Sequence, residues 1–146
     1  MNVLLALAIA IGLVAATTVG GLVLRSRTGR VSDAQADIVR PADLPSSAEF
    51  GSRATLLQFS TEFCSPCRAT HRLLGELAAE RPGVGHLDVD LTEHPELATR
   101  FHILQTPTTL LLDASGTVQA RIGGAPRSDE LVTRLDNLIG NTHVAA

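Results

Sequence analysis

"FSTEFCSPCRATHRLL", residues 59–74, decides how this chain reads. It holds both of the chain's cysteines, Cys64 and Cys67, separated by Ser65 and Pro66. An apolar run, Ala54 to Ser60 ("ATLLQFS"), leads into it and reads as a buried strand. Behind the cysteines, Pro66 to Glu80 carries apolar residues at Ala69, Leu73, Leu77 and Ala78, which fits one face of a helix. Pro82-Gly83 ends that helix. The cysteines therefore stand where a strand gives way to a helix. Pro66 falls in the first helical turn, where its missing N–H loses no helical hydrogen bond.

Downstream, Gly85 to Asp90 ("GHLDVD") alternates and predicts a strand. Thr92 can cap a short helix with Pro95 in its first turn, running to about Phe101. Thr108 to Asp113 ("TTLLLD") predicts a strand, Ala114-Ser115-Gly116 a hairpin turn, and Thr117 to Ile122 the returning strand, closed by Gly123-Gly124. Ser128 caps a last helix whose Asp129 and Glu130 suit the positive end of its dipole. Leu131, Leu135 and Leu138 line one face of it, and Gly140 is its expected stop. The order β-α-β-α-β-β-α predicts an α/β domain. Its strand–helix–strand crossovers pair in parallel, and the hairpin adds an antiparallel edge. Helices cover both faces of this mixed sheet of four to five strands. The domain has about one hundred residues or fewer, enough to support its own core.

Upstream the chain changes character. Residues 1–24 contain no charged side chain and are mostly Leu, Ala, Val, Ile and Gly. Val3 to Leu24 as a helix would be about 33 Å long, enough to cross the hydrocarbon core of a bilayer. A secretory leader wants positive charge ahead of its apolar stretch and a small-residue cleavage site, and neither is evident here. A buried helix would not be apolar on all faces. The segment is expected to be a transmembrane anchor. Arg25, Arg27, Arg30 and Arg40 follow it, so the positive-inside rule places the rest of the chain in the cytoplasm, with an extracytoplasmic domain as the alternative. Residues 25–52 read as a polar linker, in which Asp37-Ile38-Val39 is a weak candidate for an edge strand. The domain is expected over 53–140, followed by a tail at 141–146.

The 146 residues carry a net charge of -3, so no basic excess argues for nucleic acid. With 3% aromatic residues and no Trp or Tyr, the core must be built from Leu, Val, Ile and Ala plus four Phe.

The chemistry of the cysteines allows four readings. A structural disulfide closing so small a loop removes little unfolded-state entropy, well below the roughly 3 kcal/mol of a 15-residue loop. A structural zinc site needs about four ligands, and a second cysteine pair is missing; His71, one turn after Cys67, would supply at most a third. Two inert buried thiols would make the Cys-x-x-Cys spacing a coincidence. A redox pair has the most physical support. The motif follows a strand and opens a helix, and a helix N-terminus stabilises a thiolate.

The quoted stretch, followed by "GHLDVDLTEHPELATRFHILQTPTTLLLDASGTVQARIGG", resembles the thioredoxin family over about Arg53 to Ile139. The resemblance rests on Cys64-Ser65-Pro66-Cys67 after a strand, on Thr106-Pro107-Thr108 at the position of the family's cis-proline loop, and on Gly123 after the hairpin. It implies that Cys64 is the exposed nucleophile and Cys67 the resolving thiol. It also implies that Pro107 sits against the cysteines, leaving the Thr106 backbone to pair with a substrate strand. Phe63 stands where the family usually has Trp and would be an apolar wall beside Cys64. Arg68 stands where a basic residue is common.

Where the family often buries an Asp as proton acceptor for the resolving thiol, this chain has Gln58, which cannot act as a base. His86 takes the approximate place of the usual partner Lys, and His71 could tune the charge of Cys67 from one turn away. The resemblance thus implies a membrane-tethered thiol–disulfide oxidoreductase needing no cofactor beyond the Cys64/Cys67 disulfide. Its partners would be protein or small disulfides and an electron donor. Ser65-Pro66 is closer to the reducing members' dipeptide, which favours a reductant. The alternatives are a peptide-binding or redox-sensing module of the same fold with little turnover.

Overall fold

The computed structural model describes residues 2–33, 37–45 and 48–141. Helix α1 spans Val3–Arg27 and strand β1 Val31–Asp33; a short 3-10 turn follows at Pro41–Asp43. Strand β2 is Ala54–Ser60, helix α2 Ser65–Ala79, and strand β3 Val84–Asp90. Helix α3 covers Pro95–Arg100, strands β4 and β5 cover Thr108–Asp113 and Val118–Gly123, and helix α4 covers Ser128–Asn141. The strands form one sheet in the order β1-β5-β4-β2-β3. Strands β2 and β3 run parallel, joined across α2, and every other pairing is antiparallel.

Strand alternation sorts the side chains onto two faces. Leu57, Phe59, Val89, Leu110, Leu112 and Val118 build one core with Leu97 of α3, and Phe59 stacks at 5.3 Å on Phe101. Leu56, Leu111, Ala120 and Ile122 build the other beneath α2 and α4 with Leu74, Leu77, Leu131 and Leu135. The predicted elements hold within a residue or two, with two local differences. The buried face of α2 is Cys67, Thr70, Leu74 and Leu77, rotated from the expected one: Ala69 is exposed and Leu73 half-buried. His94, not Thr92, precedes α3 as its N-cap, because the Thr92 hydroxyl oxygen instead accepts a hydrogen bond from the Glu62 N–H.

The stretch read as a polar linker contributes to the domain. β1 pairs with the outer edge of β5, and Ile38, in the expected edge segment, bridges to Thr117. Val39 and Leu44 are buried in the α3-side core. Gly29 donates to the Gly123 carbonyl and accepts from Arg127 N–H; its φ is +76°, and a Cβ there would meet the Ala125 carbonyl. The Asp113 carboxylate closes the β4–β5 hairpin by accepting from Ser115 and Thr117 N–H groups. Residues 34–36, 46–47 and the expected tail at 142–146 lie outside the described residues. α1 is apolar over Val3–Leu24, long enough to cross a membrane, and no part of that span is buried against the domain.

The rotated face of α2 separates two adjacent leucines. Leu74→Ala, at a fully buried position, is expected to cost about 3 kcal/mol, and Leu73→Ala, at a half-buried one, about 1 kcal/mol. Denaturant midpoints of the two variants check this; equal losses would contradict the observed face.

Candidate active site

The site is assembled where β2 ends and α2 begins. Cys64 is the N-cap of α2, and Cys67 lies one turn in. The two form a disulfide with Cα atoms 5.2 Å apart. Their environments differ: Cys64 is partly exposed, whereas Cys67 is 3% exposed. Ser65 and Pro66 bulge into solvent between them. No acidic residue occupies the first turn of α2, so nothing there offsets the positive end of the helix dipole. On reduction, a thiolate at Cys64 would meet that partial positive charge at the start of the helix.

The loop before β4 forms the second wall. Thr106-Pro107 is a cis peptide bond, as the resemblance implied, and Pro107 is buried. Thr61 and Thr106 hydroxyls meet at 3.3 Å, joining this loop to the one that leads to Cys64. Gly124 N–H donates to the Pro107 carbonyl, which brings the Gly123-Gly124 turn alongside. The Gln105 side chain fills the space a Cβ on Gly123 would need. Among the described residues no backbone hydrogen bond is made by Thr106. Phe63, expected as a wall beside Cys64, is 91% exposed and belongs to neither core; Leu104, on the opposite loop, is 95% exposed. The joined loops therefore present two bare apolar side chains.

Beneath the cysteines lies Gln58, fully buried on the α2 side of β2. Its Nε2 donates to the Cys67 carbonyl at 3.0 Å, and its Oε1 lies 3.3 Å from His86 Nε2. A carbonyl oxygen can only accept, so the network assigns the proton to His86 Nε2. Burial, and then the nearby His71, push the His86 pKa below its ordinary value, although Asp88 opposes them. His86 therefore serves as a neutral donor, unlike the lysine whose place it takes.

A cleft of about 530 Å³ opens beside the disulfide, with Cys64, Cys67, Arg68, His71, Arg72 and Asp88 in its lining. His71 Nδ1 lies 2.9 Å from Asp88 Oδ2, and Ser60 Oγ donates to Asp88 Oδ1 at 2.6 Å. The His71 and His86 rings meet edge to face at 4.8 Å. The sequence reading singled out both histidines but missed Asp88. The signal was there: His86 and Asp88 are two apart on β3, hence on one side of the sheet. The parallel register that sets Asp88 opposite Gln58 was needed to use it. Among the described residues, no group of three or more His, Cys, Asp and Glu side chains is arranged to hold a metal ion.

Comparison with known proteins follows this geometry. The thioredoxin family model matches residues 46–137. Over 77 residues the chain is 34% identical to "Thioredoxin H5" of Oryza sativa subsp. japonica, covering 53% of this chain and 56% of that protein. It is 29% identical to a thioredoxin of Staphylococcus aureus, covering 62% of this chain and 86% of that one. The chain spans about half the length of two of the rice relatives it matches, 56% of thioredoxin H5 and 42% of chloroplastic thioredoxin M3, and 84% of a third, an H-type thioredoxin of Oryza sativa subsp. indica. Among solved structures, the short form of thioredoxin f from spinach chloroplast superposes with a TM-score of 0.52 at 28% identity, covering 60% of this chain and 78% of that one. Fasciola hepatica thioredoxin gives 0.52 at 25%, covering 60% and 82%.

The neutral His86 has a measurable consequence. In the unfolded chain an imidazole binds its proton near about pH 6.5, while the folded state resists until lower pH. Stability is thus full above about pH 6.5 and falls as pH drops from there to the depressed folded pKa. His86→Gln is expected to lose less stability than wild type between about pH 7.5 and 5. Chemical denaturation across that range tests it, and parallel curves would show His86 to be ordinary.

Proposed function

The chain belongs to the thioredoxin family, and we propose that it is a thiol–disulfide oxidoreductase, tethered to a membrane, that reduces protein disulfides through Cys64 and Cys67. The observation that carries this is a disulfide at the start of α2, beside a cis-proline loop, with one cysteine partly exposed and the other buried. In the reduced protein the Cys64 thiolate attacks a partner disulfide. One partner thiol leaves, and Cys64 is joined to the other in a mixed disulfide. Cys67, as thiolate, attacks Cys64 and releases the second partner thiol. The partner gains two electrons and two protons, and the Cys64–Cys67 disulfide is left for an external dithiol to reduce. No cofactor beyond this disulfide is needed.

The remaining site residues have supporting roles. Pro66 sets the backbone of the first turn, and Ser65 completes the exposed bridge between the sulfurs. Thr106 offers unpaired backbone groups to an extended substrate strand, with Pro107 and Gly123 forming the floor of that groove. Phe63 serves as a projecting contact for substrate rather than a wall, matched across the site by Leu104. Arg68 adds positive charge on the rim of the cleft. These apolar projections favour polypeptide substrates over small disulfides.

The tether in this reading is Val3–Leu24 of α1, free of charged side chains and unburied. Arg25, Arg27 and Arg30 directly follow it, and by the positive-inside rule this charge supports a domain on the cytoplasmic side. A cytoplasmic domain would take electrons from a soluble reductant, and an extracytoplasmic one from a membrane relay.

Two measurements test this reading. Cys64→Ser is expected to abolish reduction of insulin disulfides, while Cys67→Ser traps a mixed disulfide visible on non-reducing gels. Retained reduction by Cys64→Ser would refute the chemistry. In intact cells a membrane-impermeant maleimide is expected to leave the reduced cysteines unlabelled and to label them after lysis. Labelling without lysis would place the domain outside.

A further inference from the structure

We propose that His71, held by Asp88, is the proton acceptor for the Cys67 thiol, replacing a buried carboxylate that is absent from the core among the described residues. The inference rests on the oxidoreductase reading above and assigns the proton-transfer step within it.

The need comes from Gln58. Both ends of its amide are committed, Nε2 to the Cys67 carbonyl and Oε1 to His86. An amide does not titrate in this range, so the residue beneath Cys67 positions the backbone and takes no proton. His86 is equally spent. Its Nε2 carries the proton given to Gln58 Oε1, and burial disfavours its charged form.

His71 is differently placed. It sits four residues after Cys67, one turn along the same helix, and both line the same cleft. Its side chain is 55% exposed, so a positive charge on it remains solvated. The hydrogen bond at 2.9 Å from Nδ1 to the Asp88 carboxylate fixes the tautomer: a neutral imidazole donating from Nδ1 has Nε2 as its bare acceptor. Asp88 in turn is held by Ser60 Oγ. The carboxylate orients the ring and stabilises the imidazolium when it forms. The cleft that both residues line, about 530 Å³, is large enough to admit water.

The charged groups around His71 are mixed. Asp88 favours its protonation from β3, and His86 lies against the ring from the same strand. Arg68 and Arg72 oppose protonation from α2, and Glu62 also lines the cleft.

The step balances. In the mixed disulfide, the Cys67 S–H proton passes to His71 Nε2, and the Cys67 sulfur attacks Cys64 Sγ. The Cys64–Cys67 bond forms, and the bond from Cys64 to substrate breaks. The departing substrate thiolate takes the proton from His71, which is thereby restored to neutral. The size of the effect follows from the thiol. With a pKa of about 8.5, an unassisted cysteine is about 3% ionised at pH 7. Full assistance is therefore worth up to about thirtyfold there and nothing once pH exceeds the thiol pKa.

The test is single-turnover reduction of a fluorescent disulfide-linked peptide by the full reduced chain in detergent, acid-quenched and followed on non-reducing gels from pH 6 to 10. His71→Gln keeps a hydrogen-bonding partner for Asp88 but cannot accept the proton. It is expected to accumulate mixed disulfide and to resolve it about tenfold slower near pH 7, the deficit closing by about pH 9.5. Asp88→Asn, with the ring no longer held, is expected to show the same pH-dependent deficit in weaker form. An undiminished rate in His71→Gln overturns the proposal. So does a deficit constant across pH, which marks a structural role. Should His71→Gln fail to fold by circular dichroism, Asp88→Asn decides by the same criteria. Absence of disulfide reduction by the wild-type chain would overturn the oxidoreductase reading together with this one, whereas a normal wild type with an unaffected variant overturns this one alone.

Discussion

The Cys67 carbonyl accepts a hydrogen bond from a fully buried side-chain amide, that of Gln58, and the placement of the cysteine pair depends on it. A carbonyl in the first turns of a helix has its helical partner, but one pressed against a sheet has no water for its second lone pair. Leaving a buried polar group unpaired costs about 1–3 kcal/mol, so the bond acts as a positional clamp as much as a source of stability. The clamp extends through Gln58 Oε1 to His86, so β3, β2 and α2 are connected in series. The second wall of the site is fixed separately, through Thr61 with Thr106 and Gly124 with Pro107. The start of α2 is thus held from the sheet, while the loop leading to Cys64 and the loop carrying Pro107 are joined to each other by a separate set of hydrogen bonds.

The edge of the sheet follows a similar logic. β5 would expose a row of unpaired backbone groups, a liability for any sheet. Residues 28–33 close it, first by the Gly29–Gly123 bond and then by the pairing of β1. Gly29 is required there twice over, by its positive φ and by the Ala125 carbonyl. The closing strand begins only a few residues after α1 ends. The apolar helix and the Gly123 turn are therefore joined by ordered backbone rather than by a free tether, and that turn is itself bonded to Pro107.

Much of this was legible in the sequence, and the failures have physical causes. The strand–motif–helix unit and the Gly116 hairpin rest on local rules, apolar runs and turn residues, whereas Pro107 was legible only through the family resemblance. The edge strand at Val31–Asp33 escaped because three residues carry no periodicity, and only the partner edge of β5 makes them a strand. The α2 face was misread because Thr70 looks polar, yet its helix position buries it, with a hydroxyl that finds no partner among the described residues. Thr109, facing Gln58 across β2 and β4, is buried in the same condition. Asp88 escaped because its meaning lies in register, which no short stretch of sequence contains.

Replacing a buried acid by a buried amide changes where a proton can be handled. An ionised carboxylate in a low-dielectric core is destabilised by several kcal/mol unless paired, and it titrates with a strongly raised pKa. A neutral Gln58 avoids that penalty and keeps the hydrogen bond to Cys67. In the proposed mechanism, proton transfer occurs at the solvent margin, where an imidazole's charge is solvated and the Asp88 carboxylate orients the ring. The amide in the core and the histidine–carboxylate pair in the cleft are therefore two halves of one electrostatic arrangement: the interior is left neutral, and the charge that disulfide exchange must create is placed where water can share it.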